Sequence, residues 1–376
     1  MRQTLPLAVA SLLVLAGCAE VSEPRDGPST APSASPPVGS VRPVGEPRVL
    51  ATGLASPWSI VRLGDADSAL ISERDSGTVV ERLPSGRLRD VGVVQGVVQG
   101  VVHAGEGGLL GLAVPPASSG SARWLYAYLT TATDNRIVRM PLAGESGSYR
   151  LGEPTPILTG LAKAGNHDGG RIAFGPDGML YATVGDAGQP SRAQDPASLN
   201  GKILRMTPTG GVPRDNPSSA SLVYSLGHRN PQGIAWDADG QLWAAEFGQN
   251  TWDEFNRIEP GGNYGWPVVE GIGSKSGFID PLYQWPTADA SPSGLAFAGG
   301  TFFLAALRGE RLWAINPGST ITAQPYFTND LGRLRDAVAG PDGSLWVLTN
   351  NTDGRGTPGE GDDKLVEVRL DVSRAG

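Results

Sequence analysis

Short apolar runs separated by turn residues fill the chain from about residue 49 to about residue 370, and they recur in a fixed order. Three runs make a unit. Pro57 to Ile60 is followed by Ala69 to Glu73 and Thr78 to Leu83, and Gly107 to Leu112 by Trp124 to Tyr128 and Asn135 to Met140. Gly170 to Phe174 is followed by Leu180 to Thr183 and Gly201 to Met206, and the order returns from Gly233, Gly294 and Asp336 onward. Runs of this length bounded by Gly, Pro and Asp are strand signals, and turns such as Gly175-Pro176-Asp177-Gly178 read as hairpins. The anchors Ile60, Leu112, Ile172, Ile234, Leu295 and Val338 lie at intervals of roughly 40–60 residues, a repeat that suits four-stranded units with variable loops. The pattern predicts an all-β fold, a six-bladed β-propeller with four-stranded antiparallel blades, because radial closure leaves only short protected edges. Loops from every blade then converge on a central channel, where residues distant in sequence can build one site.

One hairpin carries candidate chemistry. His167 precedes the strand ending at Phe174, and Asp186 follows the strand ending at Val184. Two strands joined by a tight turn run antiparallel, so these two residues emerge at the same end. A carboxylate that accepts from one imidazole nitrogen fixes the tautomer and frees the other as a general base. Taken alone, the stretch reads first as a turn histidine bonded to backbone.

Composition narrows the class. Among 376 residues there are 53 glycines and 31 prolines, far more punctuation than a helical protein tolerates. The formal charge of −8 leaves no basic footprint, so nucleic acid is not expected as a partner. Asp237-Ala238-Asp239-Gly240 opens like a calcium loop, but Leu242 stands where that loop needs glycine. Gly107 to Gly111 lacks the lysine of a phosphate loop, and three scattered histidines give no zinc spacing.

The N-terminus reads as a targeting segment. Met1-Arg2 leads into an apolar run from Leu5 to Leu15, too short to span a bilayer, which ends in Leu15-Ala16-Gly17-Cys18. That tetrapeptide resembles a bacterial lipobox, and Cys18 is the only cysteine in the chain, as an acylated anchor residue would be. Residues 1–18 are therefore expected to be a lipoprotein signal peptide, 19–46 a Pro/Ser/Gly-rich tether, and 47–376 a single propeller domain on the extracytoplasmic face of a bacterial membrane. An ordinary secretory signal with a chance cysteine is the alternative.

Several polar clusters carry a more specific likeness. Gly227-His228-Arg229-Asn230-Pro231-Gln232-Gly233, Glu246-Phe247-Gly248-Gln249-Asn250 with Asp253-Glu254, and Gly261-Gly262-Asn263-Tyr264-Gly265-Trp266-Pro267 closely resemble the soluble pyrroloquinoline-quinone (PQQ)-dependent glucose and aldose sugar dehydrogenases, often grouped with sorbosone dehydrogenases. Gly105 to Leu112, the His167 stretch, Trp285-Pro286-Thr287 and Arg333 to Asp336 follow in the same order, so the resemblance covers the whole domain.

The resemblance implies a propeller that holds the quinone over the channel mouth with calcium beneath it, oxidises an aldose to its lactone, and passes electrons to an external acceptor. His167 would remove the proton of the anomeric hydroxyl while hydride passes to the quinone, Asp186 would orient that histidine, and Arg229 would stabilise the developing charge. Asn230, Arg333 and Arg335 would bind the cofactor, since planar guanidinium forks pair well with carboxylates. The carbonyls of Gly248 and Gln249 would hold calcium, Glu254 and Tyr264 match a second calcium site, and Trp285 matches an aromatic beside the sugar. Three positions depart from the family pattern. Glu106 replaces a glutamine near base and cofactor, Asn166 replaces an aspartate on the substrate side, and Arg308 replaces a cofactor-binding lysine. A non-redox propeller, either a calcium-dependent lactonase-like hydrolase or a ligand-binding module, is the alternative, and it would need no arginines around a quinone.

Overall fold

The computed structural model describes residues 1, 39–64, 67–94, 103, 105–116 and 123–372. Six antiparallel sheets succeed one another along the chain and form the six blades of a β-propeller. Blades 1, 3, 4 and 5 each run through four consecutive strands, from Pro57 to Val93, Ile172 to Leu226, Pro231 to Pro286 and Pro292 to Tyr326. Blade 2, from Leu109 to Leu161, carries an added two-residue strand, Arg150–Leu151. Blade 6 takes its inner three strands from the C-terminal end of the domain and its outermost strand, Val41–Ala51, from the N-terminal end.

That closing strand begins inside the segment expected to be tether, which was drawn to residue 46. Val41 faces Val372 and Ala51 faces Leu365. Pro43, Gly45 and Pro47 hide the strand in the sequence, because proline breaks a central ladder but is tolerated on an edge. The lipobox with Cys18, and most of the tether, lie outside the described residues.

The strand runs are apolar on both faces because each blade is buried on both faces. Leu345–Thr349 is buried throughout. Leu345 and Val347 pack toward blade 5, while Trp346 and Leu348 pack toward blade 1. A hydrophobic cluster of this kind lies between each neighbouring pair of blades. The expected hairpin at Gly175–Gly178 is present. Ile172 faces Ala182, Gly178 N–H donates to Gly175 O at 2.9 Å, and Asp177 caps Met179 N–H at 3.0 Å. Among the described residues, helix is confined to two short 3-10 turns, and no helix is long and apolar enough to cross a membrane.

Every blade starts its innermost strand and ends its second strand at the same end of the ring. Glu106, His167, Arg229, Ser291 and Arg333 therefore precede innermost strands, and Arg74, Asp186, Phe247, Leu307 and Asn350 follow second strands, all at one mouth of the channel.

Candidate active site

His167 sits in a left-handed backbone conformation, φ 60°, and its carbonyl closes onto the loop after the second strand. Ala187 N–H donates to it at 3.1 Å, and Gly185 lies so close that a Cβ there would approach within 2.0 Å of the same oxygen. Only glycine lets the two loops meet at that distance. Their meeting brings His167 Nδ1 to 2.7 Å from Asp186 Oδ1, as the hairpin predicts. Asp186 is fully buried. Its Oδ1 also accepts Gly188 N–H at 2.8 Å, and its Oδ2 accepts Trp266 Nε1–H at 2.9 Å. With Nδ1–H donated to the carboxylate, Nε2 is left as the basic nitrogen, and it has no partner among the described residues.

Glu106 joins three blades at this point. Its Oε2 accepts His167 N–H at 2.9 Å and Asn230 Nδ2–H at 3.2 Å, while Asn230 Oδ1 accepts Gly169 N–H at 3.0 Å. Arg229 lies beside them. Its Nη1 donates to Gly248 O at 2.6 Å, its guanidinium carbon lies 5.5 Å from the Trp266 ring centre, and its Nε is buried without a partner. Burial holds this guanidinium below the usual arginine range, opposed by Asp186 and Glu246.

A cleft of about 270 Å³ opens between these loops, lined by Arg74, Arg308, Arg333, Arg335 and Arg355 against one carboxylate, Glu106. Trp58 forms part of its wall, its ring 4.2 Å from the Arg171 guanidinium and 5.7 Å from that of Arg335. Arg333 pairs with Asp353 at 3.1 Å, and Arg335 donates to Asn350 Oδ1 at 2.8 Å and to Gln232 Oε1 at 3.0 Å. Burial lowers the Arg335 guanidinium to about 9, partly offset by Asp353. The arginine excess, together with the unpartnered buried Nε of Arg229 and of Arg333, fits a flat ligand bearing several carboxylates. PQQ is such a ligand.

The expected calcium ligands fit less well. Gly248 O already accepts from Arg229 Nη1, so a cation there requires that bond to open. Glu254 accepts from Gly271 N–H at 2.7 Å and Asn256 Nδ2–H at 3.1 Å, and Tyr264 donates its hydroxyl hydrogen to Arg257 O at 2.6 Å. No contact joins Glu254 to Tyr264. Burial and the neighbouring Glu246 push Glu254 up to about 8. Among the described residues no cluster of three or more His, Cys, Asp or Glu is arranged to hold a metal.

Of the substrate-side residues, Asn166 is exposed at the rim and Arg308 lines the cleft. Trp285 does neither. It is 2% exposed on the outermost strand of blade 4, packed between Tyr283 and Trp313 in the core shared with blade 5. Trp266 is the aromatic beside the His167–Asp186 pair. Arg74, Arg355 and Trp58 carry no local signal in the sequence, since a single arginine or tryptophan is common in loops and strands alike.

Comparison with known proteins gives a consistent answer. The glucose/sorbosone dehydrogenase family pattern matches residues 54–357. The PQQ-bound form of aldose sugar dehydrogenase from Streptomyces coelicolor is 48% identical and superposes with a TM-score of 0.83, over 90% of this chain and 100% of that one. An aldose sugar dehydrogenase of Escherichia coli (strain K12) is 30% identical over 81% of this chain and 90% of its own length. Quinoprotein glucose dehydrogenase B of Acinetobacter calcoaceticus is 32% identical over 63% of this chain and 55% of its own.

Proposed function

The chain belongs to the glucose/sorbosone dehydrogenase family, and from that premise we propose that it oxidises an aldose at the anomeric carbon to the lactone, with PQQ bound in the arginine-lined cleft. The observation that carries this reading is the His167–Asp186 pair, its Nε2 without a partner among the described residues, tied through Glu106 to a cleft lined by five arginines. Arg308, Arg333, Arg335 and Asn230 would hold the quinone through its carboxylates and carbonyls. Bound there, the quinone supplies a two-electron acceptor for the sugar's anomeric hydride.

His167 acts on the proton. Asp186 fixes Nδ1–H, so Nε2 can take the hydrogen of the anomeric hydroxyl, and the same carboxylate stabilises the imidazolium that results. Arg229 faces the charge that develops on the acceptor side, where a partly buried guanidinium acts more strongly than in water. Glu106 keeps the base in place through its backbone. Trp266 holds Asp186 from the other side. An external acceptor would then take up the electrons.

Calcium and the envelope location belong to this proposal as well. A calcium ion would use the carbonyls of Gly248 and Gln249 as hard oxygen donors once Arg229 releases Gly248 O. Glu254 and Tyr264 would contribute to a second calcium only after rearrangement. Lipid on Cys18 would anchor the chain on the extracytoplasmic face of the membrane, and a Cys18→Ser variant is expected in the soluble fraction.

The test is to titrate apoprotein with PQQ, with and without calcium, and to follow uptake by absorbance before assaying dye-linked oxidation of several aldoses. Stoichiometric uptake with sugar-dependent dye reduction is expected, lost on chelation and regained with calcium. Failure to take up the quinone under any of these conditions would overturn the reading.

A further inference from the structure

A second histidine network lies behind the cleft. His228 Nδ1 is 2.7 Å from Glu246 Oε2, and His228 Nε2 is 2.8 Å from Ser225 Oγ. Serine, histidine and glutamate in this order have the geometry of a hydrolytic triad, yet Ser225 and His228 are fully buried and Glu246 is 3% exposed. No substrate reaches the hydroxyl. The other oxygen of Glu246 points the opposite way. Oε1 accepts the backbone N–H of Arg229, and that of Asn230 at 3.2 Å. The Tyr264 ring stacks on the imidazole with ring centres 4.8 Å apart, and the Tyr264 hydroxyl is tied to Arg257 O.

We propose that Ser225, His228 and Glu246 form a sealed positioning relay that fixes the backbone of Arg229 and Asn230, and through it the two side chains that face the base and the cleft. Ser225 O–H donates to Nε2, Nδ1–H donates to Glu246, and the carboxylate so oriented receives both backbone N–H groups. None of the three touches sugar or quinone. They act by setting where the Arg229 guanidinium and the Asn230 amide stand, and sub-ångström placement of such groups governs both cofactor affinity and turnover. Without the carboxylate, two N–H groups at the start of a buried strand lose their acceptor.

The inference rests on the functional reading above for its catalytic half, and its structural half is measured without cofactor. Hydrogen exchange of apoprotein, followed in a peptide covering residues 226–232, should show the Arg229 and Asn230 amides protected in wild type. They should exchange about fivefold faster in Glu246→Ala, since one lost hydrogen bond is worth roughly 1 kcal/mol. Glu246→Gln should restore most of the protection, because its amide oxygen accepts both N–H groups while its nitrogen donates to His228 Nδ1 in the other tautomer, whose Nε2–H then donates to Ser225 Oγ. Unchanged exchange in Glu246→Ala would overturn the relay whether or not PQQ binds.

The catalytic half is read from a double-mutant cycle on quinone affinity. Glu246→Ala and Arg229→Ala should each weaken uptake about tenfold or more, with the sugar KM little altered, and the double variant should be no weaker than Arg229→Ala by more than about twofold. Fully additive losses would show that Glu246 does not act through Arg229. Should Glu246→Ala fail to fold, Ser225→Ala reads the same relay at its far end, with an expected loss of about two- to fivefold in quinone affinity; no loss there would count against it. If the wild-type protein takes up no PQQ, the functional reading falls, and the exchange experiment still decides the relay.

Discussion

His167 and His228 each set Nδ1 2.7 Å from a buried carboxylate oxygen, Asp186 in one case and Glu246 in the other. Both carboxylates are bound in turn by backbone N–H groups at the same mouth of the propeller. The two pairs differ at the far nitrogen. His228 Nε2 is capped by Ser225 and its side chain is fully buried, whereas His167 Nε2 has no partner among the described residues and its side chain keeps 11% exposure beside the cleft. A histidine–carboxylate pair is therefore not in itself a catalytic feature. On the proposed reading the uncapped nitrogen lets one pair serve as a base, and the cap leaves the other as a brace.

The strongest way to break this comparison is to remove each imidazole. His167→Ala should lower kcat by about 10²–10⁴-fold, the usual range for general-base catalysis, with quinone affinity near wild type. Dye-linked turnover measured beside a separate cofactor titration checks this, and wild-type turnover would return His167 to a turn residue. His228→Ala should instead act on folding, lowering unfolding stability by about 2–4 kcal/mol, because it leaves a buried carboxylate and a buried hydroxyl without partners in a new cavity. Thermal unfolding of apoprotein reads that loss, and His167→Ala should show far less of it.

Asp186→Asn sharpens the comparison by keeping the imidazole and removing the charge that orients it. Turnover should fall by about 10- to 100-fold, between wild type and His167→Ala, and the single amide oxygen can serve Gly188 or Trp266 but not both.

The smallest expected effect has the opposite sign. Asp168, next to the base, is 1% exposed, and its Oδ2 has no partner. Burial pushes it up to about 6, opposed by bonds from Asn135 and Ala164. A carboxyl with a raised folded-state value opposes folding when ionised, so its cost appears as pH climbs above the unfolded value and is complete above about 6. Asp168→Asn should accordingly stabilise the protein by about 1–2 kcal/mol near pH 7.5, with the gain shrinking toward pH 4. Melting curves across that range decide it, and a gain independent of pH would be inconsistent with an ionised Asp168.

Much of this was legible in the sequence because each propeller blade is built from contiguous residues. Apolar runs and Gly-Pro-Asp-Gly turns give the strands locally, and the hairpin carrying His167 and Asp186 brings the pair together without distant information. The closing strand was not legible, since Pro43, Gly45 and Pro47 erase a signal that only its edge position tolerates. Trp285 and Trp266 sit in similar motif contexts. What separates them is that Trp285 lies on the outermost strand of blade 4, buried against blade 5, whereas Trp266 lies in the loop before that strand and reaches Asp186, a difference that periodicity does not encode. Arg74 and Arg355 come from blades 1 and 6 and meet only once the ring is closed.

Ring closure also sets an order of events. Blades 1 to 5 are contiguous and can pair locally as they are synthesised, but the strand Val41–Ala51 must remain without its partner until Leu365–Val372 has been made. The entropy of closing so long a loop grows only logarithmically with its length, so the main burden falls on time rather than on final stability. During that interval two strand edges stand open to other chains. Arg333, Arg335 and Asp353 all belong to this last blade, so the anionic ligand's pocket is finished only at the final step of folding. Capacity to load the cofactor thus reports on a completed ring, and a nascent or truncated chain cannot sequester it.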